Sequence, residues 1–422
     1  VQSLGRRRPG LVDPSSAMLT RRRVRTLSIS LRTRARLLAT FGILLAGSMT
    51  INIADPGTSF AATPTVRTLN LGPTPYALAI DTTTDTLYVA RIASSTTVSV
   101  INGATNKVTD HIHVGSSVGN MAMDPTTDTL YAEDGPFLGI SATTAPKPNG
   151  YSLLAIDGKT DRVIHTIHID RSFSGIAVDP ATNTIYLQTQ STKGHRGGWS
   201  LLAIDGKTDR VIHTIHIGSL GPMTIDPATN RIYVAGSRSL LVINGATDKV
   251  ADTIHIGLVA SSLAMNPITD TLYAGSVSVT TAPKPNGYSL LAIDGKTDRI
   301  IHTTHVGGGG FGSIAVDPAT NTIYAPDTSS MSVSVVNGGT GAVISSIRLG
   351  KEHFLGFGLA IDPNTNTLYG QGPRSLVAVD LANQNHRALS LNSSWFTVAG
   401  IVVVAGGSLF IARMRRRRPS AS

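Results

Sequence analysis

The chain has 422 residues, 41% of them apolar, with 36 Lys and Arg, 26 Asp and Glu, and a formal charge of +10. It has no cysteine, which excludes disulfides, thiolate metal sites and thiol catalysis. Fifteen of the 36 basic residues are arginines before residue 62 or after residue 412, leaving 21 basic against 24 acidic residues between 62 and 412, so the folded part carries no phosphate-binding footprint and no nucleic-acid partner is expected.

Residues 1–61 read as a leader. The first 17 are rich in Arg, Pro and Ser without periodicity, and Met18 is the expected start of translation. Residues 21–36 are strongly basic and 37–46 largely apolar, and Ser59-Phe60-Ala61 places small residues where a signal peptidase reads, just before Ala62. That order predicts export. Thr20-Arg21-Arg22-Arg23 touches a twin-arginine pattern, as any Arg-rich start does.

Residues 62–391 are organised around an eight-residue unit, DPATNTIY at 179–186, with relatives starting at Asp81, Asp124, Asp226, Asn266, Asp317 and Asp362. The seven starts lie 40 to 55 residues apart, the period of one propeller blade or one helical solenoid pair. In the Asp-Pro units Pro presets φ at a tight corner, the Asp carboxylate accepts from backbone N–H groups two residues on, and the later Asn or Asp tolerates a left-handed conformation. Short β-branched or aliphatic runs flank each copy, so each is a hairpin. In the third unit the expected strands are 174–178, 184–188, 200–204 and 211–217. Strands three and four are joined by a second recurring turn, Asp205-Gly206-Lys207-Thr208-Asp209, with relatives at 102–106, 157–161, 244–248, 294–298 and 337–341. Its Gly is expected to supply a backbone position with no Cβ penalty. No apolar period of 3.6 runs through the unit, which excludes helical solenoids. The prediction is an all-β, seven-bladed β-propeller of four-stranded antiparallel blades, closed into a ring. Two segments compete to close it: 65–72, beside 375–379, and 387–391. Residues 143–162 match 280–299 throughout, and 152–169 match 200–217, which points to recent internal duplication.

A short linker, 392–394, leads to 395–412, eighteen residues without a charge, and then to a tail, 413–422, that begins with five arginines among six residues. As a helix the apolar stretch would measure about 27 Å, enough to cross a bilayer. Trp395 and Phe396 suit one interface, and the arginines mark the cytoplasmic side. The expectation is a single-pass protein of the cell membrane, exported through an N-terminal signal peptide, with the propeller outside. No LPxTG motif precedes the tail, so membrane retention without wall linkage is expected.

VINGATNKVTDHIHVG at 100–115, followed by MAMDPTTDTLYAE at 121–133, resembles the YVTN-type repeat of surface-layer and other exported β-propellers. The resemblance covers about 65–391 and implies the propeller fold. It implies no activity, because the same blade serves unrelated functions. One departure is histidine at 113, 168, 216, 255 and 305, where these repeats commonly have proline.

The pairs His165 with His168, His213 with His216 and His302 with His305 invite a metal reading, but residues three apart on a strand point to opposite faces, so rim histidines that are solvated or hydrogen-bonded are expected. The turn aspartates are explained by the turns, and Gly307 to Gly310 lacks the strand, helix and Lys of a phosphate loop. Length variation gathers in the links between strands two and three and between blades, which emerge on one face. There Lys193, His195, Arg196 and Trp199, with Arg171, Phe173, Lys351, His353 and Phe354, mix charge with aromatic groups and are the candidate binding residues. The function expected is a binding or cell-surface interaction module for an unknown protein or cell-envelope ligand, with no catalysis, metal or cofactor of its own. The alternative is a metal-dependent propeller hydrolase or lyase, lactonase-like, with its site at the channel mouth, for which Glu133, Asp134, Glu352 and His353 are the link residues in view.

Overall fold

The computed structural model describes residues 64–381 except 73–74, 92–95, 116–117, 136–150, 191–197, 278–287, 308–311, 350–357 and 373–374. The leader 1–61, the linker 392–394, the apolar stretch 395–412, the tail 413–422 and the competing strand 387–391 lie outside these residues. Among the described residues no helix is long and apolar enough to cross a membrane.

The described residues form twenty-eight strands in seven sheets of four. Blades 1 to 6 occupy 75–113, 118–169, 173–216, 223–255, 259–305 and 315–348, each a meander in sequence order. Blade 7 takes three strands from 359–380 and its fourth from Thr65–Leu69. That strand lies antiparallel to Leu376–Asp380, with Val66 opposite Val379 and Thr68 opposite Val377. The first strand of each blade touches the next all the way round, including blade 7 to blade 1. The ring is closed, and residues 65–69 supply its closing strand.

Apolar surface explains the arrangement. The second and third strands are apolar on both faces, as in Leu87 to Ala90 and Leu153 to Ile156, so every sheet needs a neighbour on each side. Seven buried clusters result, one between each pair of adjacent blades. The seam cluster joins Leu71, Leu87, Val89 and Ile101 to Tyr369, Leu376 and Ala378. The Tyr of each eight-residue unit, at 88, 131, 186, 233, 273, 324 and 369, is buried in this layer.

Meandering strands send the turns between strands one and two, and three and four, to one face of the ring. In all seven first turns the leading Asp or Asn accepts a hydrogen bond from the backbone N–H two residues on, at 2.8–3.1 Å. The fifth residue, Asp or Asn, sits at φ 50–53°, as the sequence predicts. The second turn differs from expectation. Its Gly is not left-handed; that conformation falls to the last residue, such as Asp209 at φ 58°. The glycines are required instead by close approach. Each donates its N–H to the carbonyl of the left-handed residue in the first turn, as Gly245 does to Asn230 at 2.8 Å. A Cβ on Gly245 would overlap the Asn230 side chain, and one on Gly295 would overlap Asp270.

The fourth strands of blades 1 to 6 each carry a bulge against the third strand, at Thr109, Ile164, Ile212, Ala251, Ile301 and Ile344. Ile164, Ile212, Ile301 and Ile344 are exposed together with their paired neighbours Val163, Val211, Ile300 and Val343, because the fourth strand is the outer one. The fourth strand of blade 7 runs without one.

Candidate binding site at the channel mouth

The turn face is committed to holding blades together. His165 Nδ1 of blade 2 meets Asp209 Oδ2 of blade 3 at 2.8 Å, and His213 Nε2 meets Asp248 Oδ2 at 3.3 Å. Arg231 donates to the Gly295 carbonyl at 2.6 Å and to Asp298 at 3.1 Å in the next blade. The Tyr369 hydroxyl crosses the seam to Asn106 Oδ1 at 2.8 Å. The other histidine of each pair turns away: Nδ1 of His168, His216 and His305 lies 3.1–3.3 Å from Ser152, Ser200 and Ser289 of the neighbouring strand. The paired histidines therefore diverge, as the strand period requires, and the turn carboxylates serve the turns.

On the opposite face lie the strand ends from which the links depart, around the mouth of the central channel. Here the first strands of several blades bulge, at Tyr76 in blade 1, Gly119-Asn120 in blade 2, Ser174-Gly175 in blade 3 and Ser261 in blade 5. Bulges re-aim side chains and free backbone groups from the ladder. Beside them stands the fifth residue of the second strand, which is small or apolar in four blades (Ala90, Ala235, Gly275, Pro326) and polar in three (Glu133, Gln188, Gln371). All three polar side chains are buried and bind a first strand near its start. Gln188 Nε2 donates to the Gly221 carbonyl at 2.8 Å, and its Oε1 accepts from the Gly221 N–H at 3.4 Å. Gln371 Nε2 donates to the Tyr76 carbonyl across the seam. Glu133 Oε2 accepts from Asn120 Nδ2 at 2.7 Å and from the Asn120 N–H at 3.2 Å.

Glu133 is only 4% exposed, and burial pushes its carboxyl up to about 7, against the opposing pull of the two Asn120 bonds. Its charge in turn raises the phenols of Tyr76 and Tyr151, both already raised by burial. A cavity of about 350 Å³ opens on the arc from blade 6 to blade 2, lined by Tyr76, Asn120, Ser313, Gly358, Leu359 and Gln371 among others. That volume is at the small end of small-molecule sites, which run from about 300 Å³ upward.

Of the nine candidate binding residues read from the sequence, three are described. Arg171 lies on the link between blades 2 and 3, half-buried and held by Asp170 at 2.7 Å, which raises its pKa. Phe173 is no surface group: it opens the first strand of blade 3 fully buried, its ring 6.3 Å from that of Tyr151. Trp199 opens the third strand of blade 3 and packs half-buried against the cluster between blades 3 and 4. None of the three lines the cavity. Lys193, His195, Arg196, Lys351, Glu352, His353 and Phe354 lie outside the described residues. Asp134 ends the second strand of blade 2, next to Glu133. Glu133, expected on a link, is inside that strand.

The cavity residues Tyr76, Asn120, Ser313 and Gln371 went unread in the sequence. A signal existed for Gln371, Gln188 and Glu133, since each interrupts a position that is otherwise small or apolar. Among the described residues no three His, Asp or Glu side chains gather closely enough to hold a metal ion. No family model and no curated protein matches the chain.

Proposed function

We propose that this chain is a YVTN-type propeller, exported and tethered to the membrane by residues 395–412, that acts as a binding module for a cell-envelope ligand or partner protein on the face carrying its links. The observation that carries the reading is the contrast between the faces. On the turn face, side chains and backbone groups are spent on stitching blade to blade. On the link face, strand bulges, a polar cavity and buried amides and a carboxylate gather at the channel mouth. Export and tethering rest on the leader and the tail, and the near-neutral charge of 62–412 speaks against a nucleic-acid role. The test is labelling of intact cells with a membrane-impermeant amine reagent. Modification of lysines such as Lys107 and Lys249, with the chain retained in carbonate-washed membranes, is the expected result. A propeller that labels only after lysis overturns the reading.

One observation favours the second reading, a hydrolase or lyase. Glu133, buried at the mouth with a pKa of about 7, is poised to exchange a proton near neutral pH. Stoichiometric calcium, magnesium or zinc retained by the purified chain, with turnover of an ester or lactone lost in Glu133→Gln, would support it.

A further inference from the structure

Gln188 and Gln371 occupy the same place in blades 3 and 7, yet only Gln188 uses both ends of its amide. Its Oε1 takes the Gly221 N–H, whereas Gln371 Oε1 is buried without a partner. A buried acceptor left unmatched keeps an unrecovered desolvation cost, which a ligand donor would offset. Gly358 leaves room for this amide: a Cβ there would stand 3.0 Å from the Gln371 Cδ, Nε2 and Oε1. Asn120 also lines the cavity, and its Nδ2 is committed to Glu133, so its carbonyl oxygen is the end available to a ligand.

Two amide oxygens ask for a donor. The charge of that donor follows from what surrounds them. Among the described residues none that lines the cavity is ionisable as a cation, and Glu133, directly behind Asn120, is buried with no cation against it there. A buried carboxylate is stabilised by a nearby positive charge, and an ammonium group offers three donors and no acceptor. The volume, about 350 Å³, holds roughly a dozen groups of the size of water.

We propose that the channel-mouth cavity binds a small molecule bearing a primary ammonium group, with Gln371 Oε1 and Asn120 Oδ1 accepting its N–H donors and Glu133 balancing its charge. The site rests on the reading of the link face as the ligand face, and names the ligand class for it. Because Glu133 sits near neutrality, beside Tyr76 and Tyr151 phenols that burial keeps protonated and uncharged there, binding of the cation favours its ionised form and releases a proton.

Calorimetry on the detergent-solubilised full chain at neutral pH tests this, with putrescine as the probe and 1,4-butanediol as its uncharged counterpart. Saturable one-site binding of putrescine is expected, at least about tenfold tighter than the diol, a difference of about 1.4 kcal/mol. Repeating the titration in buffers of different ionisation heat should show proton release, absent in Glu133→Gln. Glu133→Gln and Gln371→Leu should each weaken putrescine about tenfold or more. Gly358→Ala, which crowds the Gln371 amide without removing it, is the second variant should Gln371→Leu fail to fold, and is expected to weaken binding as well. Equal affinity for the diol, no putrescine binding, or binding untouched by the variants that fold overturns the proposal. Such a result with the propeller still labelled from outside the cell sinks the ammonium site alone and leaves the surface module standing.

Discussion

Thr65 stands opposite Asp380, so the first described strand is the outer partner of the last, and the ring closes by joining the two ends of the propeller. In an antiparallel pair the N–H groups of successive residues point alternately at the partner and away from it. Proline at Val66 and at Arg67 should therefore behave unequally. One of the two removes a ladder bond to 376–380 and is expected to cost about 2 kcal/mol more than the other. Thermal unfolding of both variants measures the gap, and equal losses would mean that the strand is not held by this ladder.

The approach of Gly245 to Asn230 gives a second prediction. Gly245→Ala should destabilise by about 1–3 kcal/mol through overpacking. Asn230→Gly accepts the same φ of 52° and removes the side chain that a Cβ would strike. The double variant should therefore be more stable than Gly245→Ala alone. Denaturant unfolding of the four proteins yields the coupling, and strict additivity would disprove the contact.

Glu133 gives a pH dependence of fixed sign. Its folded pKa, about 7, lies above the ordinary value of 4.5, so between these the folded protein keeps a proton that the unfolded chain releases. The contribution to stability is full below pH 4.5 and is lost as pH rises towards 7. Glu133→Gln keeps an acceptor for Asn120 without the charge. It should raise stability at pH 8 by up to about 3 kcal/mol and change little at pH 4. Melting curves at the two pH values decide; a variant equally destabilised at both would refute the sign.

The His165–Asp209 pair is exposed on the histidine side, at 58%. Exposed pairs contribute about 0–1 kcal/mol. His165→Ala is expected to unfold within about 1 kcal/mol of the parent, and added zinc should leave both melting temperatures unchanged. A rise with zinc that disappears in the variant would restore the metal reading.

The blades were legible because their rules are local. An Asx side chain that caps its own turn, and a left-handed Asn or Asp four residues on, act within five residues, so Asp179 and Asn183 announce themselves in sequence. Gly245 was placed correctly but explained wrongly, because its constraint comes from Asn230, across the blade. The channel mouth was harder. Whether Gln371 points at Tyr76 depends on which segment follows blade 7 around the ring, and Asn120 faces Glu133 only because a bulge puts two residues opposite one. Phe173 failed as a surface candidate for a related reason: a position beside a long link is still inside the sheet when the strand begins one residue earlier than the alternation suggests.

The bulges in the outer strands of blades 1 to 6 bend each perimeter strand away from the straight geometry a foreign chain could zip onto, while Thr65–Leu69 alone offers an unbent margin. Among the described residues the circumference is thus polarised, with six bulged margins and one straight. Among the described residues, strand addition by a second copy is therefore expected at Thr65–Leu69 rather than at the six bulged strands, so the element that seals the ring is also the one shaped to receive another strand.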